Sequence, residues 1–118
     1  MNIVIKSIIV VFFTLFTTQI GTAQIENFQI LLFKVHGNCG MCKKTIEKAG
    51  NVKGVSKTEW NVETKVATIT IDTTKISFGE ILQRIANAGY DNDKFRAPDA
   101  IYGKLPACCQ YPRLSKNE

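Results

Sequence analysis

The first strong pattern in the chain is an apolar run, Phe28–Val35, made of typical strand formers. Apolar side chains occupy both sets of alternating positions, which predicts a central strand covered on one face and partly on the other. The residues from His36 to Met41 then read as a loop. Apolar positions recur at helical spacing through Cys42–Ala49, and charged residues lie between them, so this stretch predicts an amphipathic helix.

A hairpin and a second helix follow. Val55–Val62 and Lys65–Ile71 have strand patterns, and Glu63-Thr64 separates them. Ser77 and Glu80 form a capping box, with serine at the N-cap and glutamate three residues later. The apolar residues that follow at helical spacing are Ile81, Leu82, Ile85 and Ala88, and Gly89 ends the helix. Tyr90–Phe95 is a weak, charged strand candidate, which we expect at a sheet edge.

The predicted order is strand, helix, strand, strand, helix, strand. Two βαβ-like halves of this kind form an antiparallel sheet with both helices on one face. The sequence therefore predicts an α+β fold of the ferredoxin-like βαββαβ class, an open-faced sandwich, over residues 24–95.

The segment before this domain, Met1–Ala23, has the pattern of a secretory signal peptide. Lys6 supplies positive charge, an apolar stretch follows, and Gly21-Thr22-Ala23 offers small residues for cleavage. The alternative is an uncleaved membrane anchor. The uninterrupted apolar run is shorter than the ~20 residues needed to span a bilayer, so we expect cleavage, a mature chain beginning at Gln24, and export to the periplasm.

The segment after the domain, residues 96–118, forms a C-terminal extension that carries Pro98, Pro106 and Pro112. Prolines at this density argue against a long helix. Two adjacent cysteines, Cys108 and Cys109, lie in this extension.

The net charge and its distribution along the chain indicate which classes of binding partner to expect. The chain carries 15 Lys and Arg against 10 Asp and Glu, a formal charge of +5. The lysines are scattered and aromatic residues seldom lie among them, whereas a nucleic-acid interface needs a concentrated basic patch. No nucleic-acid partner is expected, and the mature chain is expected to be a monomer without a membrane span.

The candidate chemistry lies in Cys39-Gly40-Met41-Cys42, between the first strand and the first helix. This spacing lets both sulfurs face a common point. Two uses fit: a soft metal ion held by two thiolates, or a reversible disulfide. The partial positive charge of a helix N-terminus favours thiolate in either case.

These residues resemble the heavy-metal-associated domain family, which includes copper chaperones, periplasmic mercury-binding proteins and modules of metal-pumping ATPases. The resemblance covers Phe28–Phe95 and rests on Cys39-x-x-Cys42, the order of elements, and Ala88-Gly89-Tyr90. It implies that Cys39 and Cys42 bind metal and that Tyr90 lies near their thiolates. The family usually has Gly-Met-x-Cys where this chain has Gly37-Asn38-Cys39.

The resemblance implies a non-enzymatic carrier for Cu(I) or Hg(II), with Zn(II) less suited because structural zinc prefers four ligands. The expected partner is a metal-transporting membrane protein or another metal carrier. Met41 is expected to pack beneath the loop in the second sphere, rather than to bind metal. His36 could be a ligand, but a lone loop histidine is more often solvated.

Three readings stay open for Cys108 and Cys109. The extension could fold back and add thiolates to the metal site. The two thiols could form a disulfide with each other or with the first pair. They could also pack structurally or have no role.

Two other functions also fit some of these residues. A thiol–disulfide oxidoreductase would use Cys39 and Cys42. Against it, the order of elements is not that of thioredoxin, and no proline is a strong candidate to face the two thiols, since Pro106, near Cys108, lies in the extension. A four-cysteine structural zinc module is less natural, because a long segment separates Cys42 from Cys108.

Overall fold

The computed structural model describes residues 27–113. The predicted signal peptide therefore lies outside the described residues. The elements are β1 (Phe28–Lys34), α1 (Gly40–Gly50), β2 (Ser56–Trp60), β3 (Val66–Asp72), α2 (Phe78–Asn87), a short α3 (Asp99–Tyr102) and a 3₁₀ turn (Ala107–Cys109). The strands form an antiparallel sheet in the order β1-β3-β2.

The core lies between β2, β3 and the two long helices. Side chains of β3 alternate between buried and half-buried, as expected for a strand covered on one face. The helices pack against each other, and α1 packs on β2. The fully buried apolar side chains include Ile46 of α1, Ile69 and Ile71 of β3, and Ile81, Leu82 and Ile85 of α2.

The capping box predicted for α2 is present. The Glu80 amide donates to Ser77 Oγ over 3.2 Å, and the Ser77 amide donates to a Glu80 carboxylate oxygen. Gly89 follows the C-cap residue with φ +113°, a conformation that favours glycine. A Cβ at Gly89 would lie 2.8 Å from Leu105 Cδ2, so glycine also lets the C-terminal extension approach closely.

The hairpin connection is longer than the two residues predicted. It runs from Asn61 to Lys65, where Lys65 has φ +61°. The Asn61 side chain accepts hydrogen bonds from the amides of Glu63 and Thr64. This local bonding ends β2 at Trp60, before the predicted boundary at Val62, because side chains of this kind offer the backbone an alternative to the sheet.

The predicted edge strand over Tyr90–Phe95 is wrong within the described residues. Only an isolated bridge between Val35 and Asn92 forms. The Asn92 carboxamide accepts from the amides of Lys94 and Phe95, and the Asn92 amide donates to the Phe95 carbonyl, so the chain turns away at this point.

The prediction that β1 is a central strand is also wrong in this sheet. Within residues 27–113, no full strand flanks it on the side away from β3, so it lies at an edge. The exposed fractions of Ile30 and Leu32 are 61% and 67%. The apolar residues of β1 therefore indicate its preference for strand structure and not burial of both of its faces.

The extension has no long helix in its described part, as its prolines predict. It contains α3 and the 3₁₀ turn and packs back against the domain. Among residues 27–113, no helix combines the length and apolar character needed to cross a bilayer.

Candidate metal centre

Cys39 and Cys42 lie where β1 gives way to α1. Cys39 is the N-cap of the helix and has an extended backbone, with φ −139° and ψ −178°. Cys42 occupies the third helical position and is fully buried, whereas Cys39 is half-buried. Their sulfurs lie 3.7 Å apart. The helix start therefore places one accessible thiol beside one buried thiol.

Backbone amides converge on both sulfurs. The amides of Asn38 and Cys39 donate to Cys42 Sγ over 3.4 and 3.5 Å. The hydrogen bond from the Cys42 amide is the largest cause that lowers the pKa of Cys39. Burial raises this pKa and the amide of Met41 lowers it further, and together these contacts bring it to about 7. Free amides at a helix N-terminus stabilise negative charge in this way. The site thus favours thiolate at Cys39.

The Trp60 side chain packs against the loop that precedes these cysteines. Its indole N–H donates to the Val35 carbonyl over 2.9 Å. A Cβ on Gly37 would lie 3.0 Å from the indole ring, a tight contact that would require the ring or the loop to shift, so glycine suits this close approach. The Lys65 ammonium lies 5.3 Å from the centre of the Trp60 ring and donates to the Asn38 carbonyl. These contacts connect the loop to the core.

The extension brings the other two cysteines to the same place. Cys109 is buried, and its sulfur lies 2.6 Å from Cys42 Sγ. Cys108 is exposed, with its sulfur 3.9 Å from Cys109 Sγ. The sulfurs of Cys39, Cys108 and Cys109 all lie within 4.8 Å of one another. All four thiols are free, so the structure contains no disulfide between them.

Arg113 and Tyr111 hold the extension in place. The Arg113 guanidinium makes two hydrogen bonds, of 3.0 and 2.9 Å, to the two carboxylate oxygens of Asp91. The Tyr111 hydroxyl donates to the Gly89 carbonyl and accepts from the Asp91 amide, both over 2.8 Å. The Tyr102 hydroxyl donates to the Tyr111 carbonyl. The extension is therefore attached to the domain directly after the 3₁₀ turn that carries its cysteines.

The extension thiols differ in acidity from Cys39. Burial is the largest cause that raises the pKa of Cys109, to about 12. A hydrogen bond with Cys39 is the largest cause that raises the pKa of Cys108. Burial likewise raises the pKa of Tyr90, whose hydroxyl contacts the Cys109 thiol. Among Cys39, Cys108 and Cys109, the thiolate therefore forms first at Cys39.

Met41 does not pack beneath the loop as expected. Its exposed fraction is 55%, and its sulfur lies 3.5 Å from Cys108 Sγ. The cause is its position in the first turn of α1, on the side that faces the extension. His36 stacks against Tyr111, with ring centres 6.0 Å apart, rather than pointing freely into solvent.

The site includes residues that the sequence pattern did not single out. Asp91 lies 20 residues before Tyr111 and 22 before Arg113, and the three follow no motif, yet they attach the extension to the domain. The only available signal was the presence of two adjacent cysteines in a proline-containing segment, which indicates an ordered turn but not its partner.

We predict that Cys39 reacts with iodoacetamide at lower pH than the two thiols of the extension, Cys108 and Cys109. Because its pKa is lowered to about 7, its thiolate persists down to near-neutral pH, and its rate should be half-maximal near pH 7. Cys109 should stay unreactive up to pH 10, since its pKa is raised to about 12 and it is buried. Peptide mass mapping of the reduced, metal-free protein after brief alkylation measures both rates. A Cys39 rate that keeps rising through pH 9 would contradict the prediction.

Several known proteins are similar to this chain. The family model of the heavy-metal-associated domain matches residues 32–91. A mercuric transport protein periplasmic component from Shewanella putrefaciens is 43% identical over 54 residues, which is 45% of this chain and 59% of that protein. A copper chaperone CopZ from Staphylococcus aureus is 33% identical over 55 residues, which is 46% of this chain and 81% of that protein.

Two solved structures share the fold. Oxidized MerP from Ralstonia metallidurans has a TM-score of 0.51 and 35% identity, covering 56% of this chain and 94% of that one. A CopZ metallochaperone has a TM-score of 0.50 and 29% identity, covering 54% and 98%. The similarity confirms the predicted α+β, ferredoxin-like fold class. Because the family model spans just over half of the chain, the chain belongs to the heavy-metal-associated domain family.

Proposed function

We propose that this protein is an exported, non-enzymatic carrier that binds Cu(I) or Hg(II) through Cys39 and Cys42. It would sequester the ion or relay it to a metal-transporting membrane protein or to another carrier. The observation that carries the proposal is the pair of sulfurs 3.7 Å apart at a helix N-terminus, in a fold of this family.

The chemistry of the pair suits a soft ion. Thiolates select soft metals, and Cu(I) and Hg(II) accept coordination by few ligands. Zn(II) needs more ligands than this pair supplies. The lowered pKa of Cys39 reduces the proton competition that a metal must overcome at neutral pH. An accessible thiolate also allows exchange, because a partner's thiolate can attack the bound ion before it is released.

The proposal includes the boundaries of the segments of the chain and the cellular location of the protein. Residues 1–23 would be the removed leader, residues 24–95 the metal-binding domain, and residues 96–118 an extension of it. The name of the mercuric transport relatives places those proteins in the periplasm, which supports a periplasmic location here. We propose a monomer whose partners do not include nucleic acid. Tyr90 and Met41 would belong to the second sphere of the metal.

Native mass spectrometry tests this function. The protein is expressed from Met1, purified, reduced and offered Cu(I), Hg(II) or Zn(II) in the presence of a competing thiol. We expect a soft ion to be retained by the protein, Zn(II) to be retained less, and the soft ion to be lost from the Cys39→Ser/Cys42→Ser double variant. A Lys48→Gln variant, altered at an exposed position in the last turn of α1, is the control and should retain the ion. Equal retention by the cysteine variant would reject the proposal.

The alternative is a thiol–disulfide oxidoreductase that uses the same pair. The lowered pKa of Cys39 favours it too, because a thiolate is the nucleophile in disulfide exchange. Reduction of an insulin-like disulfide distinguishes the two functions. We expect the protein to show no turnover above that of free thiol, and rapid turnover that depends on Cys39 would favour the oxidoreductase.

A further inference from the structure

We propose that Cys108 and Cys109 of the extension are additional metal ligands, so that a soft ion is held by three or more thiolates in a closed site. This inference rests on the proposed function, since it assumes that the ion enters at Cys39 and Cys42. It raises the coordination number of the ion above the two thiolates of the Cys-x-x-Cys pair, and it assigns the additional ligands to the extension.

The spacing of the sulfurs matches such a site. Three thiolates that bind one ion at about 2.3 Å lie about 4 Å from one another. Cys39 to Cys42 is 3.7 Å, Cys108 to Cys109 is 3.9 Å, and the triad of Cys39, Cys108 and Cys109 fits within 4.8 Å. Cys42 and Cys109, at 2.6 Å, are closer than two thiolates on one ion, so their sulfurs must move apart by about 1.4 Å for an ion to enter between them.

Packing alone does not explain the position of Cys108. A structural cysteine is normally buried among apolar groups, but Cys108 is exposed. The contacts of its thiol are with sulfur: Met41 Sδ at 3.5 Å, Cys109 Sγ at 3.9 Å, and Cys39, with which it hydrogen-bonds. Cys109 is buried, yet its thiol points at Cys42. Both neighbouring thiols therefore face the sulfurs of the first pair.

The extension is held in place before any ion binds. Cys109 lies in a 3₁₀ turn, and its backbone amide donates to the Pro106 carbonyl. Tyr111 and Arg113, two and four residues after Cys109, attach the chain to the domain. Tyr111 stacks against Tyr90, with ring centres 6.1 Å apart. Ligands that are already fixed lose little conformational entropy on binding, which favours their use.

A closed site changes what the protein does with its ion. In a two-thiolate carrier, the open position beside the metal admits the thiolate of a partner. Here the extension's own thiols occupy that position, next to Cys39. The ion should therefore be retained until the extension moves away, which favours sequestration over rapid transfer.

X-ray absorption of the Cu(I)-loaded protein tests the inference, because it counts sulfur neighbours and measures the copper–sulfur distance. We expect three or more sulfurs in the unaltered protein, and two sulfurs at a shorter distance in the Cys108→Ser/Cys109→Ser variant. Tethered ligands raise affinity through effective concentration, so this variant should also bind Cu(I) about a hundredfold more weakly against a thiol competitor. Ala107→Ser, an exposed change beside the pair, is the matched control and should behave like the unaltered protein.

The possible failures are distinguishable. Two sulfurs in the unaltered protein, or an unchanged sulfur count in the Cys108/Cys109 variant, would overturn this inference while leaving the carrier intact. Loss of all soft-ion binding by the unaltered, reduced protein would overturn both proposals. Far-UV circular dichroism checks folding, and the solved relatives, which are covered almost completely by 54–56% of this chain, indicate that the domain folds without an extension.

Discussion

Replacement of Trp60 by alanine is expected to destabilise the domain by about 3–5 kcal/mol, the usual cost of removing a buried aromatic side chain. Trp60 is 1% exposed and packs on the core cluster that contains Ile46. Small domains are stable by only about 5–15 kcal/mol, so this loss is a large share of the total. At about 4–8 °C per kcal/mol, the melting temperature should fall by at least about 12 °C.

The effect of this substitution extends to the loop that precedes Cys39. The indole ring lies against Gly37, and its N–H satisfies the Val35 carbonyl directly before the loop. Without the ring, the Lys65 ammonium also loses the aromatic face that it covers. We therefore expect weaker ion binding as well as lower stability.

Trp60→Phe is the matched control for this prediction. It keeps most of the ring packing but leaves the Val35 carbonyl without its donor, which costs about 1–3 kcal/mol. Urea unfolding of the reduced, metal-free protein, followed by far-UV circular dichroism, measures both variants. A loss below about 1 kcal/mol for Trp60→Ala would show that the ring does not support the core.

The sequence predicted those parts of the fold that depend on local patterns. The helix after Cys39 and the capping box at Ser77 follow from apolar spacing and from side chains that bond to nearby amides. The Cys39 and Cys42 sulfurs came together as their spacing predicted, because a helix start fixes residues three apart. Such features need no information about the distant chain.

The sequence did not predict features that depend on distant contacts. β1 is as apolar as a central strand, but it stays at an edge because residues 90–95 form only a single bridge with its end, at Val35 and Asn92, and no strand. Asp91 lies in the segment predicted as an edge strand, and its carboxylate instead bonds to Arg113 and to the Ala97 amide. The competing partner lies outside the domain pattern, so periodicity could not reveal it.

The same limit applies to the site. The sequence left three readings open for Cys108 and Cys109, because nothing in their spacing states where the extension lies. The structure places them beside the first pair through contacts of Tyr111 and Arg113. Long-range ion pairs and aromatic packing therefore determine the part of the site that is particular to this chain.

Replacement of Arg113 by glutamine is expected to detach the extension while leaving all four sulfurs in the chain. The side chains of Arg113 and Asp91 are 9% and 12% exposed, and breaking a buried pair costs about 3–5 kcal/mol. When the extension detaches, the Asp91 carboxylate regains its hydration. The lost free energy should therefore weaken the attachment of the extension to the domain more than it lowers the free energy of unfolding. At 1.4 kcal/mol per factor of ten, the attached fraction should fall at least about a hundredfold relative to the detached one.

Hydrogen exchange and thiol reactivity measure this detachment. The amides of Cys109 and Tyr111 should lose protection, and the buried Cys109 thiol should become open to alkylation. Lys104→Gln is the matched control, since it removes one exposed positive charge from the same segment. If Cys109 stays as protected in Arg113→Gln as in Lys104→Gln, the ion pair does not anchor the extension.

The dependence of docking on pH follows from Asp91. Burial alone would raise its pKa, but the hydrogen bonds from Arg113 and from the Ala97 amide outweigh burial and lower it below its ordinary value. A carboxylate with a lowered pKa contributes its full stability above its unfolded-state pKa of about 4, and loses it as the pH falls through the lower folded value. Protection of Cys109 should therefore be constant from pH 5 to 8 and decline only in stronger acid. A decline between pH 5 and 8 would show that Asp91 does not set the pH dependence, and would point to Cys39, whose pKa of about 7 lies in this range.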